Sequence, residues 1–234
     1  QVHRAVTKAG LPVAVKVQYP DIAKALQSDL SNLGGMVSVI GTAARISNAQ
    51  SYFGELRESL TDELDYRGEA GRAEQFREAA KGLETVVVPR VERELTAEKV
   101  LTQELLVGPT VKEFMNGLTP AVPNAERLRV SRLLVHAIWG VYLHSGVIHA
   151  DPHPGNFVLL NDGRIGVLDF GAIKQLSDRF TNVSRDMFTR TAAGQTFDCM
   201  EMSLRCGFTF DDPAKAKEVV EGVIELALEP PRSR

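Results

Sequence analysis

At 234 residues the chain is long enough for one large domain or a two-lobed one, and its 44% apolar and 24% charged residues are ordinary for a globular protein. A net charge of -3 gives no electrostatic basis for binding nucleic acid, and no run approaches the ~18 apolar residues that a membrane span requires. No signal peptide is visible, and Cys199 and Cys206 lie in a helical-looking region without a His or Cys cluster, which argues against metal or disulfide use and fits a reducing compartment.

In chain order, Val2 to Val6, Thr7 to Pro12 and Val13 to Tyr19 read as strand, turn and strand. In VAVKVQYP, Lys16 shares a strand face with Ala14 and Gln18. A lone strand lysine is ordinarily a solvated edge residue. The V-A-x-K pattern, however, is that of the lysine with which kinases grip the α- and β-phosphates of ATP, and the motifs downstream favour that role. Asp21 to Ile46 is helical in pattern, with Ile22, Leu26, Leu30 and Leu33 on one stripe. Ser51 to Lys81 reads as a second long helical stretch, with Phe53, Leu56, Leu60 and Leu64 aligned. Its many charges form a solvated face with pairs such as Glu63–Arg67. A kinase needs one helical Glu to hold its strand lysine, and composition alone does not say which.

Glu84 to Val91 and Lys99 to Leu106 read as two further strands, after which Gly108-Pro109 breaks the pattern. Five strands with a helix inserted after the lysine strand would make a kinase N-lobe over residues 1–108, with Glu104 to Gly108 as its hinge. Glu104 and Leu106 are then the candidate adenine contacts, made by backbone groups that constrain side-chain identity little. Residues 109–234 would form a helical C-lobe. Asn124 to His144 is an amphipathic helix with Leu128, Leu133, Leu134, Ile138, Val141 and Tyr142 apolar and Trp139 in the core.

The segment His144 to Gly171 carries the chemistry. HADPHPGN places Asp151 and Asn156 five positions apart, and RIGVLDFG ends in Asp169-Phe170-Gly171. Between them, Asn161-Asp162-Gly163 is a turn signal flanked by β-favouring runs, which predicts a hairpin delivering Asp169 beside Asn156. Phosphoryl transfer needs such a set: a carboxylate (Asp151) to orient or deprotonate the attacking hydroxyl, with an amide and a second carboxylate (Asn156, Asp169) to hold Mg²⁺ on the phosphates. His149 stands where kinases place a structural His, and His153 where protein kinases have a phosphate-neutralising Lys. Spaced i,i+4 on a proline-containing loop, the two histidines make no zinc face. No Ala-Pro-Glu follows Gly171, so the peptide-docking activation segment is nearly missing and a non-peptide acceptor is expected. Ser177 to Ala193, Phe197 to Arg205 and Asp212 to Leu228 read as three closing helices.

At VAVKVQYP, ELDYRGEA, HADPHPGN and LDFG together, the sequence resembles the UbiB/aarF-domain family of atypical kinase-like proteins, from Gln1 to about Phe210. The resemblance implies an α+β, protein-kinase-like two-lobed fold, with a small, mainly antiparallel β N-lobe carrying inserted helices and a mainly α C-lobe. It implies ATP and Mg²⁺ as cofactors, Lys16 on the ATP phosphates paired with Glu69, Asp151 as catalytic base, and Asn156 and Asp169 on the metal. Glu63 and Asp65 match the family's Glu-x-Asp motif. The family's N-terminal Lys-x-Gly-Gln extension and alanine-rich loop are not in this chain, which reads as a fragment of a longer protein. An association with isoprenoid-quinone biosynthesis, a small-molecule, lipid or protein partner, and a cytoplasmic-side or organellar location peripheral to a membrane are further implications. The alternatives are a nucleotide-binding regulatory module without essential catalysis, and a small-molecule kinase of the aminoglycoside or choline type, which shares the H-x-D-x-H-P-x-N loop.

Overall fold

The computed structural model describes residues 1–24, 26, 28, 30, 31, 33, 53, 54, 57, 60, 61, 64–117 and 122–232. The first sheet begins with β1 (Val2–Val6) and β2 (Pro12–Val17). Their turn is closed by the Thr7 N–H donating to the Leu11 carbonyl at 2.9 Å and the Leu11 N–H to the Thr7 hydroxyl at 3.0 Å, with Gly10 at φ 82°, a conformation glycine adopts without steric cost. β4 (Val100–Glu104) pairs antiparallel on the other side of β2, in the order β1-β2-β4, with Lys16 opposite Leu101 and Ala14 opposite Gln103.

The described residues between 22 and 33 are helical, as the first apolar stripe predicts, and the rest of Asp21–Ile46 lies outside the described residues. The expected long helix of Ser51 to Lys81 is not continuous. It breaks at Leu64 and Asp65, and a new helix α1 (Tyr66–Ala79) starts with the Asp65 carboxylate accepting the Arg67 N–H. The apolar stripe conceals this because an N-cap carboxylate competes with the helical backbone from within the periodic pattern. Glu63 lies outside the described residues. α1 buries Tyr66, Glu69, Ala70, Ala73 and Phe76.

Glu84 to Val91 is also corrected. Only β3 (Val86–Val87) forms a strand, and it pairs parallel with β7 (Ile165–Val167) rather than joining the first sheet. Pro89 lacks the N–H that a continuing ladder needs. Beyond it the chain meets β4 through isolated bridges, Val91–Gln103 and Ala97–Val100, and through Glu92 and Arg90 backbone bonds to Thr102 and Glu104, without forming a further strand of that sheet.

α2 (Val111–Asn116) opens with a capping box between Thr110 and Glu113. α3 (Asn124–Val135), a wide π turn (His136–Gly140) and α4 (Val141–Ser145) follow as one helical run. Val130, Leu133, Ala137, Val141 and Tyr142 are buried, whereas Leu128, assigned to the apolar face by sequence, is 51% exposed. Trp139 packs on Tyr142 and Phe188.

The predicted hairpin is present. β6 (Phe157–Leu159) pairs antiparallel with β7 across a turn in which Gly163 has φ 88° and Leu160 donates to Arg164. β5 (Val147–His149) pairs with β8 (Ile173–Gln175). Three helices close the chain: α5 (Asp178–Ala192), α6 (Cys199–Cys206) and α7 (Pro213–Arg232). A single core joins α1 to the hairpin through Phe76, Leu101, Phe157, Ile165, Val167 and Phe170.

Candidate active site

Four elements converge on one corner: β2, α1, the loop after β5, and the end of β7. Lys16 comes from β2. Its ammonium donates to both carboxylate oxygens of Glu69, at 2.9 and 2.8 Å, and stands 3.5 Å from Asp169 Oδ2. The Tyr66 ring lies 5.1 Å from the same nitrogen, its quadrupole attracting the cation. Burial lowers the Lys16 pKa, but the Glu69 and Asp169 carboxylates outweigh it and hold the amine above its ordinary value, so it stays a cation.

Glu69 is the more confined partner, at 1% exposure. Burial raises its pKa, Lys16 opposes that rise, and Asp169 adds to it. The Phe170 backbone works with Lys16 against that rise. Arg72, one turn further along α1, donates to the Phe170 carbonyl at 3.0 Å. Helix α1 therefore holds Asp169-Phe170 by the Phe170 carbonyl, while the Phe170 ring is fully buried 5.7 Å from Phe76.

The loop after β5 is braced by His149, 2% exposed among Phe76, Phe157 and Phe170. Its Nε2 lies 2.7 Å from the Asp169 carbonyl, and its Nδ1 accepts the Asp151 N–H at 3.3 Å. A carbonyl can only accept, so the proton is on Nε2 and the ring is neutral. Burial keeps it so, pushing the pKa below the ordinary 6.5. One imidazole thus spans from Asp151 to Asp169, the bracing role its position suggested. His153 turns its Nδ1 to the Gly155 N–H at 3.1 Å, capping the short turn that presents Asn156.

Asp151 is exposed. The Asn156 amide lies 3.4 Å from its carbonyl and 3.4 Å from its Oδ2. The Asn156 carbonyl accepts from the Leu168 N–H at 2.9 Å, which sets the hairpin's two ends, and so Asn156 and Asp169, side by side. Asp169 uses Oδ1 to accept the Gly171 N–H at 2.9 Å. Since Asn156 Nδ2 faces Asp151, its Oδ1 is the atom left to coordinate. That oxygen and the Asp169 carboxylate are the hard oxygen donors Mg²⁺ prefers, so the residues fit the ion.

The hinge candidates sit at the other end of β4. Glu104 spends its N–H on the Arg90 carbonyl at 2.8 Å and turns its carboxylate to the Arg90 N–H at 3.3 Å. Its side chain is therefore not aimed at the Lys16 corner. Leu106 lies over β7: a Cβ on Gly166 would stand 2.6 Å from Leu106 Cδ1. Gly108 is tighter still, since a Cβ there would meet the Leu159 carbonyl oxygen at 2.0 Å. These two glycines let the segment after β4 descend onto the hairpin. Sequence reasoning missed Tyr66, Arg72 and Gln103 as residues of this corner. Tyr66 and Arg72 flank Glu69 at helical spacing, which is a signal that could have found them.

The family model of the ABC1 atypical kinase-like domain matches residues 1–203. The atypical kinase coq-8, mitochondrial, of Caenorhabditis elegans is 31% identical over 213 residues, covering 89% of this chain and 28% of that protein. The atypical kinase COQ8B, mitochondrial, of Danio rerio is 29% identical over 219 residues, 93% of this chain and 34% of that protein. A solved Mycobacterium tuberculosis structure, Rv3197 in complex with erythromycin, aligns with a TM-score of 0.64 and 30% identity over 87% of this chain and 55% of that one. The chain thus spans between 24% and 43% of the length of these and other curated relatives it matches, 28% and 34% for these two. The α+β kinase-like fold expected from the motifs is the fold of this chain.

Proposed function

Since this chain belongs to the ABC1 atypical kinase-like domain family, we propose that it binds ATP with Mg²⁺ and transfers or hydrolyses the terminal phosphoryl group in a cleft between residues 1–108 and 109–234. The observation that carries this reading is the ammonium of Lys16, clamped by Glu69 at 2.8 Å with Asp169 at 3.5 Å. A buried carboxylate that holds a lysine beside an Asp-Phe-Gly turn is the arrangement that positions a cation for phosphate oxygens.

In this reading Lys16 grips the α- and β-phosphates. Backbone groups of Glu104 to Leu106 face the adenine edge, and the Leu106 side chain forms the floor with Gly166. Asn156 Oδ1 and the Asp169 carboxylate hold Mg²⁺, which when bound neutralises charge on the phosphates. Asp151, held by the Asn156 amide and by His149 through its backbone, orients the attacking hydroxyl or water. It accepts that group's proton as the new O–P bond forms and the bond to the ADP oxygen breaks.

A non-peptide acceptor is supported by the brevity of the chain after Asp169-Phe170-Gly171. β8 pairs directly with β5, and Ser177 caps α5 two residues after β8 ends. That leaves little chain for a peptide platform. The isoprenoid-quinone association implied by the resemblance, with a small-molecule or lipid-like acceptor, belongs to the same proposal. Among the described residues no helix is long and apolar enough to cross a membrane.

The test is Asp151→Asn, assayed for ATP turnover and for ATP affinity. Loss of turnover by about 10²-fold or more with affinity retained supports catalysis. Unchanged turnover would leave a nucleotide-binding regulatory module as the better reading.

A further inference from the structure

Directly paired residues of an antiparallel ladder project from the same side of the sheet. Ala14 is paired with Gln103 and Lys16 with Leu101. Gln103 therefore stands on the face that carries Lys16, one strand over, and it immediately precedes the Glu104–Leu106 segment. It is 9% exposed. Its side-chain nitrogen Nε2 donates at 3.3 Å to the carbonyl of Leu168, the residue before Asp169.

That bond fixes the amide's orientation. A carbonyl oxygen accepts and never donates, so the atom facing Leu168 is the nitrogen, and turning the amide over would set two acceptors against each other. The oxygen Oε1 is left buried with no hydrogen-bond partner. A strand position that needed only to fill volume would hold an apolar residue at lower cost, because a buried acceptor without a donor forfeits its hydration. The missing component is a donor, and the ladder register puts Gln103 on the Lys16 face, beside the Glu104–Leu106 segment.

We propose that Gln103 Oε1 accepts a hydrogen bond from the exocyclic amine of the bound purine, making Gln103 a residue that selects 6-amino over 6-oxo purine nucleotides. The inference rests on the nucleotide-site reading above and adds a side chain to it. A 6-oxo purine brings a carbonyl to the same place. Two acceptors then face each other, and the Leu168 carbonyl prevents the amide from rotating to relieve them.

The experiment is calorimetric titration of the wild-type chain and of Gln103→Met with three nucleotides in the presence of Mg²⁺: ATP, inosine triphosphate (6-oxo), and purine riboside triphosphate (no 6-substituent). Backbone selection by the Glu104–Leu106 segment is common to both proteins, so the change in ratio reports Gln103 alone. The expected result is that Gln103→Met binds ATP about tenfold more weakly and purine riboside triphosphate as tightly as wild type, narrowing the preference for ATP over inosine triphosphate. Equal weakening of all three nucleotides, or no change in any, would overturn the proposal and assign Gln103 to packing. If Gln103→Met does not fold, Gln103→Val, which suits a strand and carries no side-chain hydrogen-bonding atom, carries the same comparison. Failure of the wild type to bind any of the three would overturn the nucleotide-site reading and this inference with it.

Discussion

The two sides of the candidate site are built to different standards. On one side Lys16 is bonded to Glu69 at 2.8 and 2.9 Å, with Asp169 3.5 Å from the same ammonium and Arg72 on the Phe170 carbonyl at 3.0 Å, around a carboxylate that is 1% exposed. On the other, Asp151 is exposed, and among the described residues its carboxylate is met by the Asn156 amide at 3.4 Å. A carboxylate taken out of water needs its partner in place before any ligand arrives, because an unpaired buried charge is strongly destabilising. A solvated carboxylate carries no such demand, and catalytic hydrogen bonds are often long until substrate tightens them. The fold itself completes the first half of the site, whereas in the proposed reading the second half is completed by the ligand.

The largest effect on stability should therefore come from Lys16→Met, which strands Glu69. With the side chain of Lys16 itself 28% exposed, the expected loss is about 2–3 kcal/mol. The sign with pH is specific. Burial already holds the Glu69 pKa above 4.5, and Lys16, by its charge and its hydrogen bonds, is the main group that opposes it. Removing Lys16 raises it further, so the protonated form becomes the stable one. The variant's stability is full below the ordinary carboxyl value and falls as pH rises through the raised one. Urea unfolding at pH 5 and pH 8 should show the larger deficit at pH 8, and an equal deficit at both would contradict a stranded carboxylate.

Gly108→Ala comes next, at about 2 kcal/mol, because the clash is with the Leu159 backbone, which cannot move without the hairpin. Gly166→Ala meets only the flexible end of Leu106 and should cost about 1 kcal/mol or less. Thermal melts that rank the two the other way would mean the segment after β4 does not rest on the hairpin as described. His149→Leu should cost about 1–2 kcal/mol through the two bonds it strands. It should also remove a pH dependence. The His149 pKa is lowered by burial, so its contribution is full above 6.5 and declines as pH falls below that value, where the unfolded chain protonates first. A wild-type stability curve that does not change between wild type and variant below pH 6.5 would count against the neutral bracing ring. The smallest effect on stability is expected for Asp151→Asn, within about 0.5 kcal/mol of wild type, because the group is exposed. A loss of several kcal/mol would show that this side of the site is structural after all.

The parts of this arrangement that were legible in the sequence are those set by local chemistry. The Asn161-Asp162-Gly163 turn needs a positive φ at Gly163, so the hairpin and the approach of Asp169 to Asn156 follow from a few adjacent residues. The three closing helices follow from their apolar periods and caps in the same way. Glu69 is different. The periodic stretch held several equivalent acids, and it was the resemblance of ELDYRGEA to a known family that distinguished one of them. What was not legible is non-local. The break at Asp65 lies inside an unbroken apolar stripe, and β3 takes its partner from β7, nearly eighty residues away in a parallel pairing that no alternation pattern encodes. Gln103 read as one more polar residue in a half-buried strand. Only the register with Ala14 and the bond to Leu168 reveal which way its oxygen faces.

The measurement that tests the nucleotide site most directly is thermal stability of the chain titrated with ATP, with and without Mg²⁺, beside the same titration on Asp169→Asn. The asparagine keeps an oxygen for the Gly171 N–H but replaces the carboxylate facing Lys16 and the proposed metal position. A ligand that binds only the folded chain adds about 2.7 kcal/mol at a hundredfold excess over its dissociation constant. The account predicts a Mg²⁺-dependent rise in the wild type that is absent in Asp169→Asn. A rise of equal size in both proteins, or one indifferent to Mg²⁺, would contradict it.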